Sequence, residues 1–239
     1  MIETFTALLF AHVLADFVLQ TGYMVRQKKS PAVMVLHTAI VLATAQAATG
    51  QIAAPELLVL AGLHLLTDAA KTHGNFNSFS AFMADQAAHL LALVAIAAYA
   101  PGLWSTGAWA AAPAALPLMA LAAGVIVATR AGGFAVGLLM AGYSADDLPE
   151  GLPHGGQLIG LLERGLVFLL VLVGQPAGIG FLIAAKSILR FDTASRDQKA
   201  SEYVIIGTLA SFGWALVAAY GCAWLLSALP ALAFAPFNP

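Results

Sequence analysis

Six histidines and aspartates stand in pairs four residues apart in a chain that carries little other charge: His12 with Asp16, His64 with Asp68, and Asp85 with His89. Four residues is about one turn of α-helix, so each pair shares a helical face. Gln20 continues the line from Asp16, Lys71 follows Asp68, and His37 stands in the apolar segment between the first two pairs. Neutral imidazoles and carboxylates are the usual ligands of zinc and related divalent ions. These residue types point to metal binding, and to hydrolysis if the ion activates a water.

The pairs also match in depth. Counted from the positively charged ends of their apolar segments, His12, His64 and His89 lie roughly 9 to 12 residues in, near mid-membrane at about 1.5 Å per residue. Asp16, Asp68, Asp85 and His37 lie about one turn nearer that end. The order His-then-Asp in the first and third segments, and Asp-then-His in the fourth, is what antiparallel helices require. An uncompensated charge at the bilayer centre costs at least ~2.5–3.5 kcal/mol, and clustered carboxylates repel one another. A divalent cation removes both costs.

The expected ligands are therefore His12, Asp16, His64, Asp68, Asp85 and His89, with His37 a further candidate and zinc the expected ion. Asp16 or Asp85, if left uncoordinated, would serve as general base, and Lys71 would assist catalysis or support a ligand. Gln20 and Gln86 are expected to meet the substrate. The competing interpretations are interhelical hydrogen bonding with no ligand, and a proton or cation pathway along the same ladder. His73 falls on the opposite face from His64, at a segment end, and is expected at the interface. His154 is expected in a loop.

The second half of the chain places Glu163 and Arg164 in GQLIGLLERGLVF, and Lys186 and Arg190 in GFLIAAKSILRF. Glu163 is expected to pair with Lys186 or Arg164, leaving a cation over for a phosphate or another anion. Gly155 and Gly156 would let backbone amides at a helix start approach that anion. Arg190 would bind it too, or snorkel to the surface.

These side chains need elements to hold them. The 239 residues are 61% hydrophobic and 9% charged, well below the ~25% charge of soluble domains. Long Ala- and Leu-rich runs, without strand alternation, exclude a membrane barrel and predict an all-α polytopic transmembrane bundle. Eight spans are expected, at about 2–24, 31–49, 55–73, 79–99, 113–130, 157–174, 176–191 and 202–228, or six if the sixth and seventh form a re-entrant pair at GQPAG. They form a single membrane domain, with a His/Asp half over 1–100 and a Glu/Arg/Lys half over 113–228. With eight spans and external termini, eight of the ten basic residues fall on the cytoplasmic side and none in an external loop. Trp104 and Trp109 would then lie at the outer interface. MIETF has no basic n-region and YMVRQKKSP no cleavage site, so the first segment is expected to persist. The net charge of −2 makes no case for nucleic acid, and the lone Cys222 is expected to be inert packing.

HVLADFVLQ with RQKK, HLLTDAAK, DQAAH, and the stretch from GQLIGLLER through AAKSILRF to SEYVIIGTL together resemble a bacterial inner-membrane family, domain of unknown function 3307. The resemblance implies an inner-membrane address and no particular activity. A looser likeness links the chain to bacterial membrane-bound metal-dependent hydrolases. The leading expectation is a membrane-embedded metal-dependent hydrolase of an anionic or lipid-linked substrate taken from the cytoplasmic leaflet. A proton- or cation-coupled transporter is the alternative.

Overall fold

A computed structural model describes residues 1–74, 76–143, 152, 154–189 and 198–231. Each of the eight segments expected to span contains a helix, and no strand occurs among the described residues. The helices are α1 (Ile2–Leu19), α2 (Gly22–Arg26), α3 (Pro31–Thr49), α4 (Pro55–His73), α5 (Phe79–Tyr99), α6 (Ala115–Met140), α7 (Gly155–Leu172), α8 (Gly178–Leu189) and α9 (Gln198–Ser227). Six are long and apolar enough to cross a membrane: α1, α3, α5, α6, α7 and α9. The six are not those expected from a re-entrant pair. Helix α8, with 12 residues, is short for a ~30 Å core. Helix α4 has the length, but Glu56, Asp68 and Lys71 lower its apolarity.

Local chemistry sets the ends. Pro31 and Pro55 open α3 and α4, where a missing N–H costs nothing. The Ser78 hydroxyl caps α5 by accepting from the Ala81 N–H at 3.2 Å. Gly50 ends α3 at φ 69°, and a Cβ there would meet the Ala108 nitrogen at 2.6 Å. Both the left-handed backbone and the close approach require glycine at that point.

Two helices contain a wider π turn, Ala15–Leu19 in α1 and Val127–Ala131 in α6. In the first, the Gln20 N–H bonds the Ala15 carbonyl, five residues back, at 2.9 Å. Such turns re-aim the side chains that follow them and are frequent at functional sites.

The outer surface is apolar: Leu66, Leu91 and Val217 are 67%, 70% and 77% exposed. In water these faces would aggregate; in lipid they are solvated. The chain is a multi-pass membrane protein.

The fold divides into two compact units, Met1–Ile126 with the chain end from Trp224, and Val127–Ala223. In the first, α1 packs on α3 and α5, α3 packs on α4, and α4 packs on α5, closing a ring of four helices. The Ile2–Leu14 part of α1 also packs on the start of α6. The Thr4 hydroxyl ties α1 to the chain beyond α5, donating to the Pro101 carbonyl at 2.8 Å and accepting from the Trp104 N–H at 3.3 Å. That bond explains a departure from expectation: Trp104 is buried in the apolar core. Trp109 is the half-exposed one of the two, its indole donating to the Ala47 carbonyl. In the second unit, α7 packs on the π turn and following residues of α6, and on α8.

Candidate metal centre

Each helix of the ring sends chemistry inward: His12 and Asp16 from α1, His37 from α3, His64 and Asp68 from α4, Asp85 and His89 from α5. All seven are buried or nearly so, Asp16 being the most open with 11% of its side chain exposed. One turn beyond the histidines, on the same side of all four helices, stand Leu8, Val41, Leu60 and Leu93, also buried. Between these and the imidazoles of His12, His64 and His89 is a void of about 10 Å³, room for about one water. The cluster is sealed on that side.

The imidazoles pack on one another. The rings of His64 and His89 are 4.2 Å apart between centroids, and His12 stacks on His89 at 5.0 Å. The His12 Nδ1 lies 3.9 Å from Asp16 Oδ2.

Two imidazole nitrogens then meet, with one oxygen of Asp16 and one of Asp68 beside both. His37 Nε2 and His64 Nε2 are 3.1 Å apart. His37 Nε2 is 3.4 Å from Asp16 Oδ1 and 3.5 Å from Asp68 Oδ2. His64 Nε2 is 3.5 Å and 3.7 Å from the same two oxygens. With metal–ligand bonds of about 2.0–2.1 Å, the corners of a tetrahedron lie roughly 3.3–3.4 Å apart. Asp16 Oδ1 and Asp68 Oδ2 are both buried without a hydrogen-bond partner. An unmet buried acceptor is costly, and a cation between the four atoms satisfies both. The donor set therefore fits a divalent ion.

A second set adjoins it. Asp68, Asp85 and His89 also bring ligand atoms within 4.8 Å of one another, as do His12, Asp16 and His64. The His89 Nδ1 lies 2.9 Å from its own helix's Asp85 carbonyl. Carbonyl oxygen only accepts, so Nδ1 carries the proton and Nε2 keeps its lone pair. His89 Nε2 and Asp85 Oδ1 are buried and unpartnered.

On the side opposite the leucines, lysines meet two of the carboxylates. Lys28 Nζ donates to Asp68 Oδ1 at 2.8 Å, and Lys71 Nζ donates to Asp85 Oδ2 at 2.7 Å. Asp16 has only imidazoles beside it among the ion pairs of the described residues. Three carboxylates thus face two ammonium groups and four imidazoles. Gln86 donates to Asp85 Oδ2 at 3.1 Å.

The sequence-based expectations divide accordingly. The seven His and Asp residues assemble together. Lys71 is at the site, and its ammonium is engaged by Asp85. Gln86 is a partner of the ligand set. Gln20 leaves the His12–Asp16 face, because the π turn ends there and its backbone is extended at φ −70°, ψ 101°. Lys28 is the residue that sequence spacing missed. The signal available was charge: three aspartates on inward faces were matched there only by Lys71, while RQKK supplied further cations next to α1.

In the second unit, Lys186 pairs with Glu163 at 2.7 Å. Arg164 donates to the Ser211 hydroxyl and the Thr129 carbonyl, each at 3.1 Å. Arg190 lies outside the described residues. Exposed His154 precedes α7 at φ 59°, and His73 is exposed at the end of α4.

Residues 4–113 match the model of a family described as "Protein of unknown function (DUF3307)". That segment holds all seven inward His and Asp residues. The stretch from GQLIGLLER onward lies outside the match. No curated protein and no solved structure matches the chain.

Proposed function

In a chain whose residues 4–113 carry this family's domain, we propose a membrane-embedded metal-binding protein, with one divalent ion held by His37, His64, Asp16 and Asp68. Two imidazole nitrogens 3.1 Å apart, each 3.4–3.7 Å from the same two orphaned carboxylate oxygens, carry the reading. Zinc is the proposed ion, since two imidazoles and two carboxylates suit it and tetrahedral coordination is its preference.

Four protein ligands close a zinc site, whereas catalytic zinc keeps a position open. The hydrolytic part of the proposal therefore needs a second divalent ion at Asp68, Asp85 and His89, a set that shares Asp68 with the first site and supplies three protein ligands instead of four. A divalent ion there supplies Lewis-acid activation of water near neutral pH. Lys71 and Gln86 hold Asp85 Oδ2, fixing which oxygen faces inward. Lys28 does the same for Asp68. These lysines are 19% and 27% exposed, so access runs from their side, which the positive-inside rule makes cytoplasmic. An anionic, lipid-linked substrate suits that entrance. The transporter alternative gains less support, because the buried leucine layer interrupts a polar path.

The test is metal content of detergent-purified protein by mass spectrometry, beside His37→Ala and Asp16→Asn variants of unchanged helicity and elution. About one ion or more per chain, lost in the variants, supports the reading. Folded wild type that holds no divalent ion after equilibration with zinc, manganese or iron would sink it.

A further inference from the structure

The second unit contains a cavity of about 560 Å³, within the size range of small-molecule sites. Its wall includes three cations, Arg130, Arg164 and Lys186, and one carboxylate, Glu163. Lys186 and Glu163 neutralise each other at 2.7 Å. Arg164 is only 5% exposed, and its guanidinium donates to two neutral oxygens, those of the Ser211 hydroxyl and the Thr129 carbonyl. Its Nε has no partner, and no carboxylate lies within ion-pair distance among the described residues. A guanidinium keeps its charge at any accessible pH, and among the described residues the neighbouring carboxylate, Glu163, is paired with Lys186 and not with Arg164.

The chain is built around that side chain. A Cβ on Gly160 would meet its Nη1 at 3.0 Å, one on Gly133 its Nη2 at 3.3 Å, and one on Gly132 its Cδ at 2.9 Å. Three absent side chains make its channel. Arg164 stands nine residues into an 18-residue helix, about 13 Å from its start and hence near mid-span. Phe134, Met140, Ile159 and Leu161 supply apolar wall, beside the polar Gln157, Tyr203 and Thr208. Gly137 and Gly156 face open space.

We infer that this cavity binds an anionic amphiphile, its oxyanion head on Arg164 and its hydrocarbon along the apolar wall. The head supplies a counter-charge through the geometry that guanidinium offers phosphate and carboxylate alike. The inference stands apart from the metal centre and does not depend on it.

The test uses the full chain in neutral detergent, titrated with dioctanoyl phosphatidic acid, dioctanoylglycerol and inorganic phosphate, binding being read by native mass spectrometry. Saturable binding of the phosphatidic acid, at least tenfold tighter than either other probe, is expected. Gly137→Leu, whose Cβ meets nothing within 4 Å on the cavity wall, should weaken it at least tenfold at unchanged thermal midpoint; Arg164→Gln should weaken it similarly where it folds. Equal binding of the neutral lipid overturns the inference. So does equal binding of inorganic phosphate, which would assign the site to free oxyanions, or undiminished affinity in folded Gly137→Leu.

Discussion

Lys28 places its ammonium 2.8 Å from Oδ1 of Asp68, 40 residues further along the chain, and leaves Oδ2 turned toward His37 and His64. One carboxylate thus serves two purposes. An oxygen on the open side is neutralised by an internal cation, while the buried one faces the histidines. The same division holds at Asp85, whose Oδ2 meets Lys71 and whose Oδ1 has no hydrogen-bond partner.

Removing one member of a buried ion pair leaves the other charged and uncompensated. Lys28→Met should therefore destabilise the metal-free protein by about 3 kcal/mol, and the Lys28→Met/Asp68→Asn double variant should recover most of that loss. Unfolding in mixed micelles, compared across the four-protein cycle, measures it. A loss in the double variant equal to the sum of the two single losses would show that the pair contributes nothing as a pair.

Metal binding should appear as stability. Zinc at a hundred times its dissociation constant adds about 2.7 kcal/mol to a folded state that alone binds it. Chelator-treated wild type should thus gain in thermal midpoint when zinc is restored. His37→Ala should lose the gain, while His73→Ala, at the exposed end of α4, should keep it.

Geometry can be read from cobalt in place of zinc. Four-coordinate tetrahedral cobalt(II) absorbs far more strongly in the visible than six-coordinate. The substituted protein should show the intense bands, and Asp16→Asn should diminish them. Weak bands in a stoichiometric complex would argue for extra water ligands and against the closed four-residue site.

The second unit offers a steric prediction. A Cβ at position 132 would lie 2.6 Å from the Trp214 ring and 2.9 Å from Arg164 Cδ, whereas at position 137 it meets nothing. Gly132→Ala should cost about 1–3 kcal/mol through overpacking, and Gly137→Ala close to none. Heat-induced loss of near-ultraviolet dichroism compares them. The cost should track the π turn of α6, whose Val127 and Thr129 carbonyls accept from Trp214 and Arg164.

Much of the ring was legible because its determinants are local. Helices α3, α4 and α5 occupy the residues expected from apolar runs bounded by Pro31, Gly50, Pro55 and Ser78. The pairing of His and Asp by one turn survives in the structure because four residues subtend nearly one helical turn whatever surrounds them. The displaced Gln20 was not legible, since a π turn adds a residue without a distinctive composition. Lys28 and Ser211 were missed for another reason. Their partners lie 40 and 47 residues away, and no spacing rule reaches that far. Trp104 was misplaced because aromatic residues near a span end suit both an interface and a core, and the Thr4 contact favours the core.

The seven inward His and Asp residues all lie between positions 12 and 89, and the helix that closes their ring ends at Tyr99. During synthesis, then, the nascent chain has every donor inserted before residues 127–223 leave the ribosome. The ion proposed for this ring would find all seven residues in place before residues 127–223 are added. The order of the gene is also an order of assembly.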